Sequence, residues 1–294
     1  MKLKYVLFAF ILFVGFSCGE KKSDKIIIGV SMLSMQNEFI QQVADALEKS
    51  AATNQVELII VDAERSSLKQ VEQVESFISQ QVDAIILNPC EFEASSPAVD
   101  KAKKAGIPIV NVNSSTKSKP DAFVGSDDAE SANMAMELIA KKLGGKGNIL
   151  MIQGYMGQAA QLDRERGAKT VLAKYPGLKL LASQTGEWDR AKSMALMENW
   201  IQSYGDQIQA VFAQNDEMAL GAYEAAKSAG KNIIIVGFDG SQDGLKSVQN
   251  GQLSATVAQQ PDLIGEKAIE ASKQIANKQT IPAQIAVPLK LITK

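Results

Sequence analysis

From Lys25 onward, short apolar runs alternate with stretches whose apolar residues recur at helical spacing. Ile26-Ile27-Ile28-Gly29-Val30 is β-branched and almost free of polar residues, as a parallel strand covered on both faces is. Phe39, Val43, Ala46 and Leu47 follow on one face of a helix. Val56 to Val61 is the next strand, and Leu68, Val71, Val74 and Ile78 form the next helical stripe. Ala84 to Leu87 predicts a strand, Ala94 to Ala105 a helix and Ile107 to Val112 a strand. Gly106 stands just past that helix, and Pro108 stands near the start of the strand, where a missing N–H is tolerated.

The alternation then begins again. Ala129 to Leu143 is helical, with Ala132, Met136, Ile139 and Leu143 on one face. Strands are predicted at Asn148 to Ile152, Leu178 to Ala182, Ala210 to Ala213 and Ile233 to Val236, and helices at Arg164 to Tyr175, Ala191 to Ser203 and Glu217 to Ala229. The halves echo each other: Val82 to Pro89 parallels Ile208 to Asn215, and each leads into a helix, a glycine and a strand. Two rounds of strand and helix imply an α/β protein with two doubly wound, parallel-sheet lobes. Ligands of such sheets bind beyond the carboxyl ends of the strands, so two lobes can face one another across a cleft.

The start of the chain departs from this pattern. Lys2 and Lys4 precede an apolar run from Tyr5 to Phe16, shorter than the roughly 20 residues a membrane-spanning helix needs but suited to an export signal. The run ends at Gly15-Phe16-Ser17-Cys18, and a polar tether from Gly19 to Asp24 follows. This segment resembles a bacterial lipoprotein signal, in which a small residue precedes a cysteine that is lipidated; Gly15 stands where that pattern usually has leucine. The resemblance implies export to the periplasm or cell surface and anchoring to a bacterial membrane through Cys18. The competing readings are an ordinary signal with an incidental cysteine and a short uncleaved anchor.

Composition narrows the chemistry. The 294 residues suffice for two domains with cores of their own, and 46% hydrophobic with 22% charged residues is an ordinary soluble balance. A net charge of −2 gives no electrostatic footprint for nucleic acid. Histidine is absent, which removes the commonest general base, the serine and cysteine triads and histidine-ligated metals. Only Cys18 and Cys90 carry thiols, too few for a thiolate zinc site. A Cys18–Cys90 bridge is allowed by parity, but the lipidation reading explains Cys18 better. No metal or cofactor is expected.

The polar residues just past strands are the candidates for a site: Asn88, Asn113, Asn215-Asp216 and Asp239-Gly240. Each alone reads as a turn residue or helix cap. Their recurrence at strand ends in both halves favours a shared site. Here the sequence resembles a known family. Ala210 to Ala222, Val236-Gly237-Phe238-Asp239-Gly240, Arg164-Glu165-Arg166-Gly167 and Ala255 to Asp262 look like the ribose-binding-protein branch of the periplasmic sugar-binding proteins. The likeness runs from about Lys25 to the end and is closer in the second half.

That resemblance implies a periplasmic binding protein of type I whose lobes close on a sugar and present it to the permease of an ABC transporter. It implies a monomer, with lobes of 26–126 plus 260–287 and 127–259 plus 288–294 behind a signal and tether at 1–25. Crossings fall near Ser126-Asp127, Gln259-Gln260 and Val287-Pro288. Arg164, Asn215, Asp239 and Gln259 match residues that hydrogen-bond the sugar, and Trp188 stands where the family has an aromatic ring. Asn37 and Phe39 match the first strand–helix turn, where Ile40 replaces a second phenylalanine. Asn113-Ser114 replaces the Asp-Arg pair of ribose binders, so the ligand is expected to be another pentose, a hexose or a polyol.

The residue types suit that chemistry independently. Asp239 accepts from neighbouring hydroxyls, Asn113, Asn215 and Gln259 donate and accept together, and Arg164 offers a planar fork of donors. Trp188 and Phe39 can cover the weakly apolar faces of a sugar ring. The bland alternatives are a core aromatic for Trp188 and a solvated helix face for Arg164 and Arg166, which suits Arg166 better; Phe238 reads as core. Three other functions share parts of the pattern. A LacI-like regulator core would need a DNA-binding module where the export signal stands. A ligand-sensing partner of a membrane receptor would be built the same way. A glycosidase would have to draw its carboxylates from Asp216, Glu217 and Asp239.

Overall fold

A computed structural model describes residues 25–294. The segment read as signal and tether, Cys18 included, lies outside the described residues. Among the described residues, twelve strands and nine α-helices are arranged as two lobes, each a six-stranded sheet between helices.

The first lobe begins β1(Ile27–Met32), α1(Glu38–Asn54), β2(Glu57–Asp62), α2(Ser67–Ser79), β3(Ala84–Leu87), α3(Ser96–Lys104), β4(Ile109–Val112) and β5(Ala122–Gly125). The second runs α4(Asp128–Lys142), β6(Lys146–Gln153), α5(Ala159–Lys174), β7(Gly177–Thr185), α6(Arg190–Tyr204), β8(Ala210–Ala213), α7(Asp216–Ser228), β9(Ile234–Asp239), α8(Gln242–Gln249) and β10(Ala255–Ala258). The chain then returns through α9(Pro261–Ala276), which packs on α1, and β11(Gln284–Ala286), which pairs with β5. It ends as β12(Lys290–Thr293), antiparallel to β10.

The sheet orders are β11-β5-β4-β3-β1-β2 and β12-β10-β9-β8-β6-β7, every pairing parallel except β10 with β12. Order reverses beside β1 in one sheet and beside β6 in the other, which opens a crevice at the carboxyl ends of both. Strand alternation divides each core in two. In the second lobe Ile149, Met151, Phe212 and Val236 face α4 and α5, while Leu150, Ile152, Val211 and Ile235 face α6 and α7. In the first, Ile28, Val30 and Ile86 pack under α1 and α9, and Ile85, Leu87 and Ile109 pack against Phe77 and Val99.

Two elements depart from the spacing of apolar residues. Ala122-Phe123-Val124-Gly125 forms β5, although only two of its residues are large and apolar. Gln242-Asp243-Gly244-Leu245-Lys246-Ser247-Val248-Gln249 forms α8, an eight-residue helix whose start is set by the Ser241 hydroxyl accepting from Gly244 N at 3.0 Å. Helix α5 starts at Ala159, five residues before the predicted Arg164, because Gln158 at its head makes no side-chain cap that sequence could signal. Among the described residues no helix is long and apolar enough to cross a membrane. Cys90 is a buried free thiol pushed up to about 12 by its burial.

Candidate functional site

Two helices that start at the carboxyl ends of the sheets, α1 and α7, are capped by residues the sequence marks. Asn37 Oδ1 accepts from Ile40 N at 3.1 Å, and Asn215 Oδ1 accepts from Met218 N at 2.9 Å. Capping uses only one end of each amide. Asn215 Nδ2 remains buried without a hydrogen-bond partner among the described residues, and so does Asn113 Oδ1 on the opposite lobe. An unpaired donor and an unpaired acceptor, each worth about 1–3 kcal/mol when left unsatisfied, thus line one cavity from its two sides.

That cavity, with a free volume of about 30 Å³, lies between Leu33, Asn37, Phe39, Ile40 and Asn113 of the first lobe and Gln158, Ala160, Arg164, Trp188, Asn215 and Asp239 of the second. Wider depressions, such as the one lined by Asp83, Lys103, Pro108 and Asp121, lie at the amino ends of the first lobe's strands, away from both crevices.

The cavity's charge comes from the second lobe. Arg164 is 3% exposed; its Nε donates to Asp128 Oδ1 at 2.8 Å and its Nη1 to the Gln214 carbonyl. Its guanidinium stacks 3.7 Å from the centroid of Phe238, so Phe238 is core and also the floor beneath the arginine. Asp239, buried, accepts from Gln259 Nε2 at 3.0 Å. Burial pushes the Asp239 carboxyl well above the usual range; Arg164 opposes that shift and the neighbouring Asp216 adds to it. Asp128 is likewise raised by burial, against the pull of Arg164.

Three lining residues hold a backbone that side chains rarely adopt: φ is +61° at Asn113, +58° at Trp188 and +123° at Asp239. Such conformations cost of order 1–3 kcal/mol each and concentrate at ligand sites. Trp188 is 8% exposed, belongs to the core cluster over α6 and α7, and lines the cavity, so the two readings of this residue hold together. Its Nε1 donates to Gln158 Oε1 at 2.8 Å.

The structure therefore brings Asn37, Phe39, Asn113, Arg164, Trp188, Asn215 and Asp239 to one cavity. Gln259 is not among the lining residues and stands behind Asp239. Asn88 is structural: its Oδ1 accepts from Leu33 N and its Nδ2 donates to the Val112 carbonyl. Arg166 is on the surface, paired with Asp163. Asp189 caps α6, and Arg190 forks onto Glu217 while reaching Asp243. Asp216 is fully buried outside the cavity, and Glu217 is held by Arg190, so neither faces Asp239 across the cleft as a glycosidase pair would. Leu33, Gln158 and Ala160 line the cavity with no warning in the sequence; only the position of Leu33 just past β1 could have flagged it.

The lobes touch across this cavity. Phe92 N donates to the Gly157 carbonyl at 2.8 Å, Gln242 N to Glu38 Oε1 at 3.2 Å and Gln158 Nε2 to the Pro89 carbonyl at 3.4 Å. Gln260 Nε2 bonds the Pro288 carbonyl at 2.7 Å, tying together two of the stretches of chain that pass between lobes.

Comparison with known proteins agrees with this geometry. Residues 28–280 match the family model described as a periplasmic binding protein domain. The ribose import binding protein RbsB of Bacillus subtilis is 40% identical over 94% of this chain and 89% of its own. A xylitol-binding protein of Mycolicibacterium smegmatis is 41% identical over 81% of this chain and 68% of its own. Among solved structures, an ABC transporter solute-binding protein from Bacillus halodurans with bound myo-inositol superposes with a TM-score of 0.89 at 37% identity, covering 93% of this chain and 96% of that one.

Proposed function

The chain belongs to the periplasmic binding protein family, in its ribose-binding branch, and from that membership we propose what it grips, how it moves and where it is moored. It is a solute-binding protein for a sugar or polyol that serves an ABC importer. The ligand we assign is a single neutral pentose, hexose or cyclic or open-chain polyol. The observation that carries this is that Asn113 Oδ1 and Asn215 Nδ2, both buried without a partner among the described residues, belong to residues of opposite lobes that line one cavity together with Arg164 and Asp239. Hydroxyls, each donor and acceptor at once, satisfy all four groups without bringing a charge.

In this reading Asn37, Phe39 and Asn113 contact the ligand from the first lobe, and Arg164, Trp188, Asn215 and Asp239 from the second. Gln259 acts through Asp239, whose carboxylate it orients. With Asn113-Ser114 in place of an Asp-Arg pair, ribose loses its strongest contacts on the first lobe, and compounds with fewer demands there gain. Isothermal titration with ribose, xylitol, myo-inositol and common hexoses should give one compound bound far more tightly than the rest. Heat only with an amino acid or dipeptide would overturn the assignment.

Binding from both lobes at once requires them to meet, so the ligand shifts the population toward a closed form. The moving bodies are 26–126 with 260–287 and 127–259 with 288–294. A ligand-dependent fall in radius of gyration is the expected sign of this, and superimposable scattering curves would contradict it. We assign the protein no catalysis; incubation with glycosides should release no sugar. The chain acts as a monomer moored by lipidated Cys18, so the mature protein should begin at residue 18 and carry acyl mass.

A further inference from the structure

The loop between β6 and α5 touches the first lobe at three successive points. The Tyr155 ring lies 5.6 Å from the Arg65 guanidinium, the Gly157 carbonyl accepts from Phe92 N at 2.8 Å, and Gln158 Nε2 reaches the Pro89 carbonyl at 3.4 Å. The same loop is the seat of the Trp188 ring. The indole lies so close over Gly154 that a Cβ there would stand 1.8 Å from a ring carbon. Its N–H is taken by Gln158 Oε1 at 2.8 Å, and the Arg164 guanidinium lies over the ring 5.3 Å from its centroid.

Gln158 is 2% exposed, and its amide is fully committed in opposite directions: the oxygen to the ring of its own lobe, the nitrogen to the backbone of the other. We propose that Gln158 is a positioning residue that couples the orientation of the Trp188 ring to closure of the lobes. This rests on the reading that the lobes close on a polyhydroxylated ligand. With the lobes apart, the Pro89 carbonyl is withdrawn and the amide is anchored only at the indole. Closure fixes it at both ends, and by reciprocity a ligand stacked on a correctly set indole favours closure.

The test uses the Trp200→Phe chain, so that Trp188 is its one tryptophan, titrated with ribose, xylitol and myo-inositol, and with common hexoses. Gln158→Glu keeps an acceptor for the indole but offers no donor to the Pro89 carbonyl, and Gln158→Leu removes both. Gln158→Glu should leave the emission of Trp188 in the free protein unchanged and weaken the tightest-binding compound by about tenfold, through faster dissociation. Gln158→Leu should weaken it further and also shift the free-protein emission. An unchanged dissociation rate in Gln158→Glu, or a loss carried only by the association rate, overturns the coupling. Should Gln158→Leu not fold, Gln158→Glu against its parent decides alone. A parent that binds none of the three compounds and no common hexose overturns the binding reading and the coupling with it, a result distinct from a binding parent and an indifferent Gln158→Glu.

Discussion

Asn215 divides its amide between the fold and the ligand: its oxygen caps α7 through Met218 N, and its nitrogen stays unpaired in the cavity wall. Serine retains a capping oxygen and lacks the amide nitrogen. Asn215→Ser should therefore keep stability within about 0.5 kcal/mol while weakening ligand about tenfold, measured by denaturant titration and calorimetry on the same sample. The next residue shows what a buried carboxylate does to the pH profile. Asp216 is pushed up to about 7, against 3.8 for an ordinary aspartate, chiefly by its burial, although Ser241 N donates to its Oδ2 at 2.9 Å. Between those two values the folded protein holds the proton more tightly than the unfolded chain, so stability falls as pH rises through the window and levels above it. Asp216→Asn should lose less melting temperature between pH 5 and pH 8 than the parent; an identical slope would mean the carboxylate is not the source. Asp128 and Asp239 are raised in the same direction, so part of the slope should remain. The site residues legible in the sequence were those in a strand-end position with an unmistakable side chain, as Asn113, Asn215 and Asp239 are. Gln158 was not legible, because a glutamine at the head of a helix carries no signal until its two partners are known.

At the scale of elements, the lobes are built from helix pairs that meet through a glycine. Added Cβ atoms would stand 2.1 Å from Ala129 O at Gly167, 2.1 Å from Arg190 O at Gly221 and 2.6 Å from Ala46 C at Gly265, so α5 on α4, α7 on α6 and α9 on α1 all approach backbone to backbone. Gly221→Ala should destabilise by about 1–3 kcal/mol, more than the ~1 kcal/mol that alanine contributes to helix propensity, read as a lower denaturant midpoint at an unchanged slope. No gain or loss would show that the pair slides apart at little cost. Most elements were legible because strands buried on both faces leave continuous apolar runs, of which Ala84–Leu87 and Ala210–Ala213 are the plainest. β5 and α8 were hidden for a shared reason: each is short, four and eight residues, so each offers few positions in which a period can show.

For the whole molecule, the four buried clusters of the described residues belong two to each lobe, and none of them spans the cleft. Without ligand the lobes should unfold with a calorimetric enthalpy exceeding the van't Hoff value, as two partly independent units do. Ligand at 100 times its dissociation constant should add about 2.7 kcal/mol and bring the two enthalpies together. A ratio of one in both conditions would show that the three chain crossings already couple the lobes fully. Those crossings have another consequence. The first lobe is completed only by α9 and β11, and the second only by β12, all drawn from the last 34 residues of 294. Neither lobe can therefore be cut out as one continuous stretch of chain, since any fragment that stops before α9 lacks an edge strand of each sheet.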